Sequence, residues 1–471
     1  MQERSTQAKF IETEPISPQG KAGEQLVWRG IQSAFASREC LAYWRYPIFS
    51  QTGNSRKEPD ILIADLELGL IVIEVKSFTI DQIARINGHR WEYQNFYTTY
   101  GNPYQQAENQ LFALLEYTKN EPSLSGKITA RVALALPLVT EKQWQERGFD
   151  RLPANPPILF QEDLGSPLFL SRKTCQIPTL ITGEKLSNHR WKLLQSVLSG
   201  TPVFLQPIRR VLASPQSPGS ILQILQSQLS EFDLQQEKIG KEIPPGPQRI
   251  RGIAGSGKTV ILCQKAAQMH LKHPDWKIAF VFFSRSLYQP IIQQIDKWIR
   301  YFSNNQQQYD PKNANLQVLH AWGSRQQPGF YRTLCQAANS FPLTVDDTAG
   351  NSPSEALAQA CVALLKDAAI PQLFDAILID EGQDLISDRY HFAGKQPFYW
   401  LAYQSLRSAS PNFSRQKRLI WAYDEMQNLE ARKIPTTAQI FGEELGNLFT
   451  GKYPGGIKKS EIMRQIGRAH V

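Results

Sequence analysis

The run Gly252-Ile253-Ala254-Gly255-Ser256-Gly257-Lys258-Thr259 constrains the fold of this chain more than any other stretch. It follows Arg249-Ile250-Arg251 and opens onto Val260-Ile261-Leu262-Cys263, where an amphipathic helix begins. A strand must therefore end in a tight turn that feeds a helix N-terminus. Gly252, Gly255 and Gly257 let backbone N–H groups converge on an anion, with Ala254 and Ser256 between them, because a Cβ at the glycines would block the turn and the approach of phosphate. The helix N-terminus adds its partial positive charge, Lys258 reaches the outer phosphates, and the Thr259 hydroxyl is placed to ligate Mg²⁺. The plain alternative is a tight turn with no ligand. The full G-x-x-x-x-G-K-T pattern between a strand and a helix weighs against it.

A chain of 471 residues exceeds one ordinary core, so two or three domains are expected. The 52 Lys and Arg against 43 Asp and Glu favour a polyanionic partner. Five scattered cysteines without a C-x-x-C pair argue for a reducing compartment and against a zinc or iron–sulfur site. The N-terminus lacks an apolar signal core, and no apolar run is long enough to cross a bilayer, so the expectation is a cytoplasmic protein without a membrane partner.

Residues 1–19 are polar and contain proline, and are expected to be a flexible N-terminus. A first domain is expected over residues 20–200. It opens on a helix, Gly23–Ile31, with Glu24 near its start. Two apolar strands follow, Glu58-Pro59-Asp60-Ile61-Leu62-Ile63-Ala64 and Leu70-Ile71-Val72-Ile73-Glu74-Val75-Lys76, joined as a hairpin. Glu74 and Lys76 share one face of their strand. Two readings are open for these residues: Asp60 and Glu74 together hold Mg²⁺ with Lys76 stabilising charge, or the carboxylates and Lys76 form a surface ion pair.

The residues Glu58-Pro59-Asp60, Ile73-Glu74-Val75-Lys76 and Asn102-Pro103-Tyr104-Gln105-Gln106, the last opening a helix, resemble the NERD domain, a nuclease-related family of the PD-(D/E)xK type, over about residues 20–119. The resemblance implies an α/β nuclease fold in which Asp60, Glu74 and Lys76 match the catalytic core. It also matches Gln106 to the helix glutamine and Glu24 to the acid of the N-terminal helix. A non-catalytic DNA-binding module is the alternative that the family leaves open.

Residues 201–231, rich in proline, are expected to link this domain to a second one over 232–465. Lys277–Phe283 reads as a buried strand with a polar exit at Ser284–Leu287, and another strand ends at His320-Ala321-Trp322-Gly323. Phe374-Asp375-Ala376-Ile377-Leu378-Ile379-Asp380-Glu381-Gly382-Gln383-Asp384 is an apolar strand ending in two carboxylates. Asp380 suits the Mg²⁺ shell and Glu381 the activation of water against a γ-phosphate. A last strand, Lys417–Asp424, leads to Gln427, placed to sense that phosphate. Gln236, ahead of the glycine-rich turn, is the candidate for the adenine edge, against the reading of a solvated helix glutamine. Together these strands and helices describe a parallel α/β core.

Gln236, Gly252–Thr259, Phe283–Leu287, His320–Gly323, Asp380–Asp384 and Gln427 in this order resemble the first RecA-like domain of UvrD/Rep-type superfamily 1 DNA helicases. The resemblance implies ATP and Mg²⁺ as cofactors, Glu381 as the catalytic base, Gln383 as the coupling residue and single-stranded DNA along Ser284–Leu287 and His320–Trp322. Trp322 either stacks on a base there or packs into the core. The resemblance also implies a helical insertion over about 288–370. Helicases of this type have a second RecA-like domain with an arginine finger. Here Ile462-Met463-Arg464-Gln465 resembles only the lead into that motif. Ile466–Val471 resembles the translation of a common sequencing adapter, so the expectation is a truncated frame with a non-native tail, in which Arg468 is no finger.

The expected function is an ATP-dependent DNA helicase or translocase fused to a nuclease-related domain, in repair or defence. The alternative is an ATP-driven DNA-binding switch with a non-catalytic NERD domain.

Overall fold

A computed structural model describes residues 10–14, 22–48, 58–88, 90–96, 98–119, 121–152, 155–199, 239–252, 255–323, 329–409, 414–424, 436–446 and 461–463. The chain divides into two units, Met1–Leu234 and Gln235–Val471. Both are mixed α/β structures whose sheets contain parallel strands.

The first unit is built on a seven-stranded sheet. Its elements are β1 (Phe10–Glu12), α1 (Ala22–Ala34), β2 (Cys40–Trp44), β3 (Ile61–Asp65), β4 (Gly69–Val75), a separate three-stranded sheet of β5 (Ile83–Asn87), β6 (Arg90–Tyr93) and β7 (Tyr100–Gly101), then α2 (Pro103–Lys119), β8 (Ala130–Leu136), α3 (Glu141–Glu146), β9 (Ile158–Phe160), α4 (Pro167–Cys175), β10 (Thr179–Ile181) and α5 (Asn188–Ser199). The main sheet runs β1-β2-β3-β4-β8-β10, with β9 also paired to β8.

The expected hairpin is β3 and β4, antiparallel with Ile61 opposite Ile73. Its turn is fixed by Asp65, which accepts from the N–H groups of Glu67 and Leu68 and is gripped by Arg38. Gly69 takes φ +80° beside the Thr129 carbonyl, where a Cβ would come within 2.1 Å of the oxygen. Strand alternation then divides the core. Leu70 and Val72 face Ala107, Leu111 and Leu114 of α2, whereas Ile71 and Ile73 face Val27, Trp28 and Ile31 of α1.

One expectation fails here. Phe10–Glu12, expected to be flexible, is a strand parallel to β2. Ile11 is buried on the α2 side, Phe10 packs against Trp28, and the Trp28 indole N–H donates to Glu12. A short apolar pair inside polar text carries too little period to be read as a strand.

The second unit contains β11 (Gln248–Gly252), α6 (Lys258–Lys272), β12 (Ile278–Phe282), α7 (Tyr288–Phe302), β13 (Leu316–His320), α8 (Phe330–Ala337), α9 (Pro353–Asp367), β14 (Ala376–Ile379), α10 (Pro397–Gln404), β15 (Arg418–Asp424), α11 (Thr437–Phe441), α12 (Glu443–Gly446) and β16 (Glu461–Met463). Every pairing in its sheet is parallel, in the order β13-β12-β14-β15-β11-β16. Such strands are buried on both faces and read as unbroken apolar runs, as β12 and β14 do. The stretch 288–370 is not external to this sheet: β13 pairs with β12, and residues of α8 and α9 enter the core around Ile377 and Trp421. Among the described residues no helix is long and apolar enough to cross a membrane.

Candidate functional site

The first cluster lies at one end of β2, β3 and β4. The β3–β4 pairing ends at Ile61 and Ile73, and beyond it the Asp60 side chain, not a backbone carbonyl, accepts the Val75 N–H at 2.8 Å. Glu74 points to the α2 side, as its alternation with Val72 requires. Lys76 donates to Glu74 Oε1 at 2.7 Å, and Gln110 of α2 donates to Glu74 Oε2 at 3.1 Å. Gln106, one turn earlier on that helix, accepts from Lys76 at 3.5 Å. Asn102 caps the helix by accepting from the Gln105 N–H at 2.9 Å, which fixes where Gln106 and Gln110 fall.

Glu74 is 1% exposed. Its burial, and then repulsion from Asp60, push its carboxyl up to about 7 against the opposing pull of Lys76 and Gln110. A buried carboxylate facing a second, partly exposed one is an arrangement that a divalent cation relieves. Among the described residues no three His, Cys, Asp or Glu side chains gather into a metal cage. Two carboxylates nevertheless suit Mg²⁺, which keeps several waters and takes further oxygens from substrate phosphate.

Of the expected residues, Asp60, Glu74, Lys76 and Gln106 are therefore brought together. Glu24 sits in the first turn of α1, where Gly23 packs against Ser77 and Pro137, and its carboxylate lies 3.9 Å from Arg45. Arg45 itself holds φ +56° and donates its N–H to the Asp60 carbonyl at 2.9 Å, extending the β2–β3 ladder by one pair. Sequence reasoning missed Gln110 and Arg45. The spacing of four between Gln106 and Gln110 on one helix was the available signal for the first.

The second cluster surrounds the N-terminus of α6, which starts at Lys258 rather than Val260. Gly255 and Gly257 take φ +73° and +78°, which the turn requires of them. Lys258 is buried, and its ammonium donates to the Gly252 carbonyl at 3.1 Å and pairs with Asp424 at 3.4 Å. Thr259 donates its hydroxyl to Asp380 Oδ2 at 2.8 Å, while Asp380 Oδ1 is buried without a hydrogen-bond partner. Burial pushes the Asp380 carboxyl up to about 6, with the Thr259 bond opposing and Glu381 reinforcing. Glu381 stands at φ +48° and accepts from Gln383 at 2.6 Å, and Gln383 accepts in turn from the Asp424 N–H at 3.1 Å. The next residue, Gly382, has no room for a Cβ, which would meet the Tyr399 hydroxyl at 2.3 Å.

Asp424 was not singled out from the sequence, although it ends an apolar strand as Asp380 does. Ser256 is buried beside Lys258 in this turn. Gln236, Ala254 and Gln427 lie outside the described residues, as do the linker 201–231 and the tail 466–471.

Trp322 belongs to the core. It is buried, meets the Tyr331 ring edge-on, and donates its indole N–H to the Leu343 carbonyl at 3.3 Å. Its neighbour His320 turns the chain: its Nδ1 accepts from the N–H groups of Trp322 and Gly323 at 3.1 and 3.0 Å. Burial lowers the His320 pKa, the Phe283 backbone opposes this, and Arg285 adds to it. The unfolded chain therefore takes up this proton at higher pH than the folded one. The stability contributed by neutral His320 is complete above its ordinary value near 6.5 and is lost as pH falls through the lowered folded value. Urea midpoints are expected to drop more between pH 7.5 and pH 5 in the natural chain than in His320→Asn, whose amide oxygen can still accept one N–H. Equal drops would contradict this.

Comparison with curated protein sequences found no match. The family model of the nuclease-related domain, NERD, matches residues 19–135, the segment that carries Asp60, Glu74, Lys76, Gln106 and Gln110.

Proposed function

We propose that the first unit is a Mg²⁺-dependent nuclease acting on DNA. The observation that carries this reading is the convergence of Asp60, Glu74, Lys76 and Gln106 at one sheet end, inside the segment similar to nuclease-related domains. Asp60 and Glu74 would hold the cation, which when bound polarises the phosphodiester and lowers the pKa of a water. Lys76 is positioned to stabilise charge developing on the phosphate. Gln110 holds the second oxygen of Glu74 and so fixes the carboxylate plane, and Gln106 steadies Lys76 from the same helix. Glu24 is proposed as a further acid, released from Arg45 when substrate phosphate engages that guanidinium. With 1 mM Mg²⁺ or Mn²⁺ the full chain is expected to cut DNA, and excess EDTA is expected to stop it until metal is restored. Cleavage that persists in EDTA would sink the metal role.

For the second unit we propose an ATP-binding, RecA-like motor domain of superfamily 1 type, so that the whole protein would move on DNA while its first unit cuts or grips it. Its support is the pairing of Thr259 with Asp380 beside a buried, unpartnered Asp380 Oδ1, which offers a place for Mg²⁺ carried by nucleotide. Gly252, Ala254, Gly255, Ser256 and Gly257 would cradle the phosphates, and Lys258 would neutralise them. Glu381 would orient and deprotonate water, Gln383 would link that base to β15, and Gln236 and Gln427 would read the adenine and the γ-phosphate. The second reading of the protein, an ATP-driven DNA-binding switch with a non-catalytic first unit, predicts nucleotide-dependent DNA binding without any metal-dependent cutting.

A further inference from the structure

The chain leaves the first cluster at Lys76 and returns to it at Gln106, and between the two it builds the small sheet β5-β6-β7. That sheet has one face in the core. Ile83 and Trp91 pack with Phe78 and Trp144, and the Trp91 and Trp144 rings lie 5.5 Å apart. Its ends are tied by Gln82 donating to the Asn95 carbonyl at 2.8 Å and Gln94 to the Asp81 carbonyl at 2.7 Å. Arg147 donates to the Ile83 carbonyl at 2.6 Å. The sheet is therefore a rigid platform and not a loose excursion.

Its other face follows from the register. Arg85 pairs with Glu92 and Glu92 with Tyr100, making one row across three strands, and Asn87 pairs with Arg90 beside it. Trp91 and Gly101 are opposite one another on the inner side, so Arg90, Glu92 and Tyr100 point outward. Tyr100 is 62% exposed, and the Arg90 guanidinium lies over its ring, 4.6 Å from the centre. Glu92 pairs with Arg90 at 3.8 Å, but both side chains are open to water, where such a pair holds weakly. An exposed aromatic ring with two arginines on a fixed strand face is the chemistry that stacks a base and neutralises its phosphates.

We propose that the outer face of β5-β6-β7 binds a single-stranded segment of DNA, with Tyr100 stacking on an unpaired base and Arg85 and Arg90 on its phosphates, and so delivers the strand to the Glu74 cluster. This rests on the nuclease reading for its substrate class, while the binding itself can be tested alone.

The test uses the full chain with no nucleotide and with EDTA, which prevents cutting. Single-stranded oligonucleotides carrying 5-iodouracil are photocrosslinked to the protein, and the labelled peptide is identified by mass spectrometry. Label on Tyr100 is expected. Anisotropy titration of the same strand should show about tenfold weaker binding in Tyr100→Ala, little change in Tyr100→Phe, and a shallower salt dependence in Arg85→Ala with Arg90→Ala. A blunt duplex of the same sequence, whose bases stay stacked, should bind Tyr100→Ala and the natural chain alike. These side chains face solvent, and unchanged thermal unfolding would confirm that the variants fold.

Crosslinks confined to other peptides, or Tyr100→Ala binding as tightly as the natural chain, would overturn the proposal and mark the face as merely solvated. Equal loss on duplex would overturn the base-stacking assignment. The nuclease reading fails separately, on metal-dependent cutting that ignores Glu74 while the Tyr100 label remains.

Discussion

Substitution of Glu74 by alanine is expected to lower metal-dependent DNA cleavage by about a hundredfold or more, equivalent to roughly 2.7 kcal/mol of lost transition-state stabilisation. The loss would come from two sides. One of the two carboxylates proposed to hold the cation disappears, and Lys76 loses the acceptor 2.7 Å away that fixes its ammonium. Because Gln110 also donates to that carboxylate from a buried position, alanine leaves an amide short of an acceptor. Glu74→Gln separates the effects, since it fills the same space and accepts from Gln110 through its oxygen but carries no charge. Cleavage should fall as far in Glu74→Gln as in Glu74→Ala while thermal stability stays closer to the natural chain. Full cleavage by either variant, measured on end-labelled DNA with Mg²⁺ or Mn²⁺, would remove Glu74 from the chemistry.

Lys258→Ala should reduce ATP affinity at least tenfold, because a charge-assisted contact to phosphate is worth about 1.5–3 kcal/mol. The same change takes the ammonium away from Asp424, which is 1% exposed and pairs with it at 3.4 Å. Removing one member of a buried ion pair costs about 3–5 kcal/mol of stability. The single variant is therefore expected to lose both nucleotide binding and several degrees of melting temperature. Adding Asp424→Asn should recover much of the stability and none of the affinity. Calorimetric titration and thermal melts on the single and double variants check this. Unchanged ATP affinity in Lys258→Ala would count against the nucleotide site, and a double variant no more stable than the single one would count against the ion pair.

How much of this could be read from residues alone depends on what each residue's neighbours supply. Glu74 and Lys76 were legible because a strand of Leu, Ile and Val has no local use for a carboxylate, and the period of two puts both on one face. The same logic exposed Asp380 after Ala376–Ile379. Gln110 was hidden because its importance lies in a contact 36 positions away in the chain, and a glutamine on a helix is otherwise unremarkable text. Asp424 was hidden for a related reason: its partner Lys258 is 166 positions distant. Trp322 was ambiguous from sequence because a Trp after a strand can face either way, and the Tyr331 ring and Leu343 carbonyl of a later segment decided it. Phe10–Glu12 needed the edge of β2, which polar flanking residues do not announce.

The hydrogen bond from the Val75 N–H to the Asp60 carboxylate has a consequence for how the first unit can vary. A strand ladder normally continues until a backbone carbonyl runs out, and here a side chain takes over that role one residue past the last pair. Asp60 thereby ends the hairpin and presents its acid in the same gesture, so the position is a splice between architecture and chemistry. Asparagine can still accept that N–H, but alanine cannot. A chain that abandoned cutting while keeping its grip on DNA could thus give up the charge at Glu74 for a neutral acceptor that still holds Gln110, and would be expected to keep an acceptor at 60. An acceptor at 60 is, for that reason, weak testimony to catalysis, and a charge kept on buried Glu74 is the stronger witness.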